Sequence, residues 1–230
     1  MELNAAIREL ESLGTEQARK IYKRHGVDGD LFGVSYANLD ILRKKIKTDQ
    51  ELAEKLWATG NHDARILATM IADPSQINER LLDSWAKDLR YHVLADAFAG
   101  VAGKTPMARK KMEKWIKSNH EMIARAGWQV MAHLAMRDEE LLDDYFEPHL
   151  EMIEREIHSQ KNRVKEAMNG ALIAIGIRNE RLQEKALAAA NRVGKLTVDH
   201  GETNCKTRDA AEYILKSARR KQKARSAKGK

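Results

Sequence analysis

The sequence predicts an all-α protein, and three observations support this fold class. Only three of the 230 residues are proline, Pro74, Pro106 and Pro148, so few positions interrupt a helix. Alanine, leucine, glutamate, lysine and arginine, which favour helix, are abundant along the whole chain. Apolar residues recur at helical spacing in segments of roughly 10 to 20 residues, and short polar breaks separate these segments.

The predicted helices, in chain order, number about thirteen. They cover Leu3–Leu13, Thr15–Arg24, Asn38–Ile46, Asp49–Ala58, Asp63–Ile71, Gln76–Leu89, Tyr91–Ala102, Pro106–Lys117, His120–Met136, Asp138–Ile157, Asn162–Ile177, Glu180–Val193 and Arg208–Lys221. From the fifth helix onward two kinds alternate. The helices that begin at residues 63, 91, 120 and 162 are rich in alanine and apolar on most faces, whereas those between them are amphipathic. The first kind suits an inner layer and the second an outer layer.

A weak internal repeat links the inner helices. A basic residue stands early in three of them, at Arg65, Arg125 and Lys165, at intervals of 60 and 40 residues. With the helix at Tyr91 between the first two, the repeat unit is about 30 to 40 residues, compatible with HEAT-type helix pairs. We therefore predict a right-handed α-solenoid of antiparallel helix pairs, HEAT-like or armadillo-type, with a plain helical bundle as the alternative. One domain is expected over residues 1–212, followed by a C-terminal tail over 213–230.

The formal charge of +7 belongs to that tail. Residues 213–230 hold eight lysines and arginines and no acid, which leaves 33 basic against 34 acidic residues in the rest of the chain. Such a tail could bind phosphates without sequence preference, or it could be a disordered, solubilising end. The single cysteine, Cys205, cannot form an internal disulfide, and no apolar window is long enough for a membrane span. A cytoplasmic protein without a membrane anchor is expected.

The inner helices also carry the residues that could bind a ligand. Arg65, Arg125 and Lys165 would project from similar heights, which suits a ligand that follows a backbone, such as DNA, although each could equally pair with an acid of the next repeat. Asp96 is the only acid on the otherwise apolar helix 91–102, and His92 lies four residues earlier on the same face. An isolated carboxylate there must be partnered or face a cleft, so Asp96 is either a buried structural acid or a site residue.

Several segments together resemble the DNA alkylation repair family, in particular the AlkD-type DNA glycosylases built from HEAT-like repeats. These segments are Leu31-Phe32-Gly33-Val34-Ser35, the basic helix that follows it, Leu56-Trp57 and Asp63-Ala64-Arg65. The resemblance covers roughly residues 18–195. The run from Val198 to Lys206 is similar to a branch of the family whose activity is less clear.

The resemblance implies a site on the inner helices. A catalytic carboxylate would correspond to Asp96 and a DNA-contacting arginine to Arg125. An N-alkylated purine is cationic and a good leaving group, so a carboxylate could stabilise the oxocarbenium-like sugar and position a water. Double-stranded DNA would be the partner, no cofactor or metal is implied, and a nucleoid-associated location would follow.

The aromatic positions depart from the family pattern. His92 stands where active relatives have a tryptophan, with Tyr91 just before it, and both are predicted to contact the DNA. Gly170 stands where a second tryptophan is expected. Trp128, one turn beyond Arg125, could compensate or could be a core residue. The first interpretation is a DNA-binding protein of this family and candidate glycosylase for 3- or 7-alkylated purines in duplex DNA. His92 and Gly170 support the alternative, a relative that binds DNA or branched DNA without catalysis. Three candidate functions remain, namely an N-alkylpurine glycosylase, a non-catalytic DNA binder and a protein-binding helical scaffold.

Two other kinds of chemistry are weaker candidates. The segment Asp199 to Cys205 holds several potential metal ligands, but their spacing fits no well-defined site and a structured loop is preferred. Cys205 with His200 could form a nucleophilic pair, for which only Asp199 could be an orienting group. No glycine-rich phosphate loop follows a predicted strand.

Overall fold

The computed structural model describes residues 1–228, with side chains described through Lys221. Every regular element in this range is helical, which confirms the all-α prediction. The basic residues Lys223, Arg225 and Lys228 lie beyond the described side chains, and Lys230 lies beyond the described residues. In the described part of the chain, no helix has the length and apolar character that a membrane span requires.

The α-helices are numbered in chain order. They are α1 Leu3–Leu13, α2 Glu16–Arg24, α3 Tyr36–Ile46, α4 Gln50–Ala58, α5 His62–Ile71, α6 Glu79–Lys87, α7 His92–Ala102, α8 Ala108–Trp115, α9 Glu121–Arg137, α10 Glu147–Glu156, α11 Asn162–Gly176, α12 Glu180–Val193 and α13 Ala210–Lys228. Two short 3-10 helices, Asp143–Tyr145 and Ile157–Ser159, flank α10.

Capping residues set the starts of several helices. Thr15, Asp49 and Asn61 each accept a hydrogen bond from a backbone N–H in the first turn of α2, α4 and α5. Ser35 and Asn179 do the same for α3 and α12. Two of the predicted first residues, Thr15 and Asp49, are therefore the caps just outside their helices. Asn78 likewise makes α6 begin at Glu79, three residues later than predicted.

The helix predicted over residues 138–157 begins nine residues too early, although residues 147–156 are helical as predicted. Residues 138–142 form no helix, and α10 begins only at Glu147, with Pro148 in its first turn. The guanidinium of Arg178 donates to the carbonyls of Ala135, Asp138 and Leu141 at 2.7–2.9 Å. Because that side chain satisfies the carbonyls after α9, the chain can leave the helix without unpaired acceptors.

Two compact units make up the chain. The first unit comprises Met1–Lys111 with His200–Asn204, and the second comprises Met112–Asp199 and the residues from Cys205 onward. In the first unit α5 packs against α3, α4 and α7. The predicted single domain over residues 1–212 stays a prediction.

The second unit shows the predicted two layers. Helix α9 packs against α11, while α10 packs against α12, so the alanine-rich helices form one layer and the amphipathic helices the other. Helix α13 packs on both α11 and α12. Stacked helix pairs of this kind are the arrangement of an α-solenoid, as the repeat spacing predicted.

Candidate nucleic-acid interface

A buried carboxylate fixes the turn that carries the Leu-Phe-Gly-Val-Ser sequence. Asp63, fully buried at the start of α5, accepts the backbone N–H groups of Phe32 at 2.6 Å, Gly33 at 2.9 Å and Val34 at 2.9 Å. Gly33 has φ of +80°, and a Cβ there would lie 2.6 Å from the carbonyl oxygen of Thr15, so the turn requires glycine. Two of the segments that carry the family resemblance are therefore in direct contact.

Next to this turn lies a buried cluster of tyrosine and histidine. The Nδ1 atom of His62 and the hydroxyl of Tyr91 share a hydrogen bond of 2.8 Å. The hydroxyl of Tyr22 donates to the carbonyl of Val34 at 2.6 Å, and its ring lies 4.9 Å from that of His62. Burial lowers the pKa of His62 to about 4, against the opposing charge of Asp63, so this imidazole is neutral at pH 7.

Tyr91, predicted to contact DNA, is therefore a structural residue of this cluster. It is 8% exposed, and burial raises the pKa of its hydroxyl. Its hydroxyl is held by His62 and its ring lies 5.3 Å from the imidazole. The residue just after it, His92, begins α7, is half-buried and lies with its ring 6.2 Å from that of His25. Of the two predicted aromatic positions at this point, only His92 is partly accessible.

Asp96, the predicted catalytic residue, lies half-buried on α7 one turn after His92. Tyr36, the first residue of α3, is 49% exposed and lies within electrostatic reach of this carboxylate. Burial of the hydroxyl and the negative charges of Asp96 and Asp63 raise the pKa of Tyr36 to about 12. The structure thus places an accessible tyrosine near Asp96, which the sequence analysis did not identify.

Arg65 has a structural role in the first unit. Its guanidinium lies 3.2 Å from the carboxylate of Asp88, donates to the carbonyl of Trp57 at 3.1 Å and lies 5.3 Å from the centre of that tryptophan ring. Asp88 also accepts from the Trp57 indole at 2.8 Å, and Trp57 stacks on Trp85 with ring centroids 4.3 Å apart. These contacts favour the ion-pair interpretation of Arg65 over a DNA contact.

Arg125, in the second unit, is 3% exposed, and its side chain is bound by residues of α11. Its guanidinium donates to the carboxylate of Glu166 at 2.8 Å and to the carbonyl of Arg163 at 2.9 Å. Burial disfavours the charged form of Glu166, but the charges and hydrogen bonds of Arg125 and Arg163 outweigh it and lower the pKa. The ion pair across α9 and α11 was the alternative that the sequence left open for this arginine.

The remaining predicted positions differ in accessibility. Trp128 is 1% exposed, with His149 edge-on at 6.5 Å, so its burial favours a core role over stacking on a base. Lys165 is half-buried, and the described contacts give it no ion pair. Nothing lies within 4 Å of a Cβ built on Gly170. The second unit thus offers a cation and an open helix face there, without an aromatic ring at Gly170.

The segment 199–205 is a structured loop. The side-chain amide of Asn162 donates to the carbonyl of Asp199 at 2.7 Å and its oxygen accepts the Asp199 N–H at 2.8 Å. Thr203 donates to the carbonyl of His200 at 3.0 Å, and Cys205 is exposed. Among the described residues, no three histidine, cysteine or acidic side chains lie close enough to hold a metal ion.

Sequence reasoning missed Asp63, Glu166 and Tyr36. Asp63 could have been found because it stands two residues after the helix cap Asn61, and a buried charged residue there needs a partner. Glu166 stands next to Lys165 and lies one helical turn after Asn162, but nothing local pairs it with a residue 41 positions earlier. Tyr36 carries no signal beyond its place in the first turn of a helix.

Comparisons with known proteins agree with this organisation. The model of the DNA alkylation repair enzyme family matches residues 6–214. Two uncharacterized proteins, one from Listeria innocua and one from Listeria monocytogenes, are each 31% identical over 219 residues, which cover 92% of this chain and 95% of theirs.

A solved structure is 34% identical, with a TM-score of 0.88, and the match covers 96% of this chain and 95% of the other. It is described as "a new family of proteins related to the HEAT-like repeat DNA glycosylases with affinity for branched DNA structures". The helical stack and the family match over residues 6–214 lead to one conclusion: the chain belongs to the DNA alkylation repair enzyme family.

Proposed function

We propose that this protein binds DNA, with a preference for branched structures, and does not excise bases. Membership of the family and the likeness to a solved protein with affinity for branched DNA support the binding. One observation supports the proposal that bases are not excised: neither position where an aromatic ring would stack on a lesion offers an accessible ring. Trp128 is buried, and Gly170 leaves open space where a ring would stack on a lesion.

Two arginines whose guanidinium groups already bind protein partners support the same conclusion. Arg125 gives its hydrogen bonds to Glu166 and Arg163, and Arg65 gives its own to Asp88 and Trp57. An arginine already held by a carboxylate can bind a phosphate only if it leaves that partner, which costs interaction energy. Among the predicted DNA-contacting residues, Lys165 is half-buried and makes no ion pair among the described contacts, so its charge can reach a nucleic acid.

A base-excising activity centred on Asp96 is the second candidate function. It is favoured by the half-buried position of this carboxylate, close to the exposed Tyr36. A carboxylate in such a place could stabilise a positive charge that develops on the sugar. The exposed ring of Tyr36 could supply a stacking surface near this carboxylate.

One experiment separates these functions. The protein is incubated with duplex DNA that contains 7-methylguanine or 3-methyladenine, and free base is measured alongside binding to a four-way junction. We expect junction binding without base release. Base release that Asp96→Asn abolishes would instead establish the excising function, and the absence of any DNA binding at low salt would favour the protein-binding scaffold.

A further inference from the structure

Two helices, one in each unit, carry the same charge pattern. In α2 the residues are Glu16, Lys20, Lys23 and Arg24, and in α13 they are Glu212, Lys216, Arg219 and Arg220. Both follow the spacing Glu-x-x-x-Lys-x-x-(Lys/Arg)-Arg. We refer to Lys20, Lys23 and Arg24 as the N-terminal triad, and to Lys216, Arg219 and Arg220 as the C-terminal triad.

Each triad occupies one face of its helix. Positions i, i+3 and i+4 are neighbours on a helical surface, about 5–6 Å apart at Cβ. The N-terminal triad lies opposite Tyr22, which is buried, and the C-terminal triad lies opposite Ile214, which is fully buried. All six basic side chains are exposed. Each helix therefore presents three cations within a single turn on its solvent side.

The triads lack the counter-charges that other basic segments have. Among the described contacts none of the six residues makes an ion pair or a side-chain hydrogen bond. In α8, by contrast, Lys110 and Lys111 pair with Glu79. In α3, Lys44 pairs with Asp40 and Lys45 with Glu9 of α1.

The acid at the start of α2 does not neutralise its triad. The hydrogen bond from Arg19, at 2.9 Å, is the main cause that lowers the pKa of Glu16, and Lys20 and Lys23 contribute less. In α13, no acid follows Glu212. Three adjacent cations without an ion pair repel one another, and a chain of phosphates relieves that repulsion.

We propose that the two triads bind DNA backbone phosphates and that each engages a different arm of a branched DNA. This inference rests on the proposed function. Lysine and arginine contacts to phosphate carry no sequence information, so the selectivity must come from the shape of the DNA. A branched DNA presents several duplex arms at once. Two weak sites on one protein then gain affinity because the second contact is intramolecular.

The test neutralises one triad at a time. One variant combines K20Q, K23Q and R24Q, and the other combines K216Q, R219Q and R220Q. The matched control combines K44Q, K45Q and K55Q. It removes the same charge from lysines that pair with Asp40, Glu9 and Glu51. Circular dichroism and thermal melting check that all three variants fold.

Fluorescence anisotropy then gives the affinity of each protein for a four-way junction and for one isolated arm over a range of salt. For the wild type we expect the junction to bind more than about tenfold tighter than the arm. Loss of either triad should reduce this ratio to at most the statistical factor of about four for four equivalent arms. The slope of log affinity against log salt on the junction should fall by up to about 2.7, which is 0.9 for each of three phosphate contacts.

The control should keep the ratio of the wild type. A triad variant that also keeps it, or a control variant that loses as much as the triad variants, overturns this inference. If the wild type binds no DNA even at low salt, the proposed function fails as well. If the wild type prefers the junction while both triad variants behave like it, only the assignment of the triads fails.

Discussion

Replacing Asp63 with asparagine tests how the turn at residues 32–34 is held. The Asp63 carboxylate accepts three backbone N–H groups, two at Oδ2 and one at Oδ1. An asparagine has one acceptor oxygen, so at least one N–H loses its partner and faces an amide nitrogen instead. The other bonds lose the ionic contribution, because the acceptor is now neutral.

The magnitude follows from these bonds. A hydrogen bond to a charged group contributes about 1.5–3 kcal/mol, a neutral one about 0.5–1.5, and an unsatisfied buried donor costs about 1–3. Asp63→Asn should therefore lower the free energy of unfolding by about 3–5 kcal/mol. For a domain whose total stability is about 5–15 kcal/mol, this is a large fraction.

Urea unfolding followed by circular dichroism measures this loss as a shift of the midpoint. Asp40→Asn is the control, because the Asp40 carboxylate is partly exposed and pairs only with Arg43 and Lys44 of its own helix. That change should move the urea midpoint much less than Asp63→Asn does, because solvent screens an exposed ion pair. If Asp63→Asn costs no more than the control, with the same dependence on urea concentration, the Asp63 contacts do not hold the turn.

Three further predictions concern single side chains. Gly170→Ala should raise the free energy of unfolding in urea by about 0.5–1 kcal/mol, because the added Cβ meets open space in mid-helix. Gly127→Ala should lower the free energy of unfolding, because its Cβ would lie 2.6 Å from the Ile116 nitrogen. Glu166→Gln should cost about 3 kcal/mol in the same assay, since it removes the charged acceptor that lies 2.8 Å from the buried Arg125 guanidinium. The free energy of unfolding should fall as the pH falls from 6.5 to 4, because the unfolded chain binds a proton at His62 that the folded chain excludes. His62→Gln should flatten this dependence of stability on pH. A variant with the same pH profile as the wild type would contradict this role of His62.

Local signals predicted most of the helices. Thr15 and Asp49 were included in the predicted helices, although both are caps, because a capping residue and a first helical residue look alike in sequence. The start of the helix predicted over residues 138–157 was wrong because Arg178, about 40 positions away, holds the chain there outside a helix. A long-range hydrogen bond of this kind leaves no trace in local periodicity.

The candidate site was less predictable than the fold. The sequence placed Asp96 and Arg125 on their helices, but it did not indicate which acidic side chain forms an ion pair with Arg125. Glu166 lies 41 residues later in the sequence, on α11, which packs directly against α9, the helix of Arg125. Burial of Trp128 was similarly undecided, because an alanine-rich helix is apolar on most of its faces. Pairing and burial between helices depend on packing, which periodicity does not encode.

The central claim is that the protein binds branched DNA and leaves bases in place. A direct test titrates the wild-type protein into a four-way junction, and into a linear duplex of equal length that contains 7-methylguanine, while free base is measured in the same samples. We predict tighter binding to the junction and no released base above that of a protein-free control. Equal or weaker binding to the junction, or release of 7-methylguanine, would contradict the account.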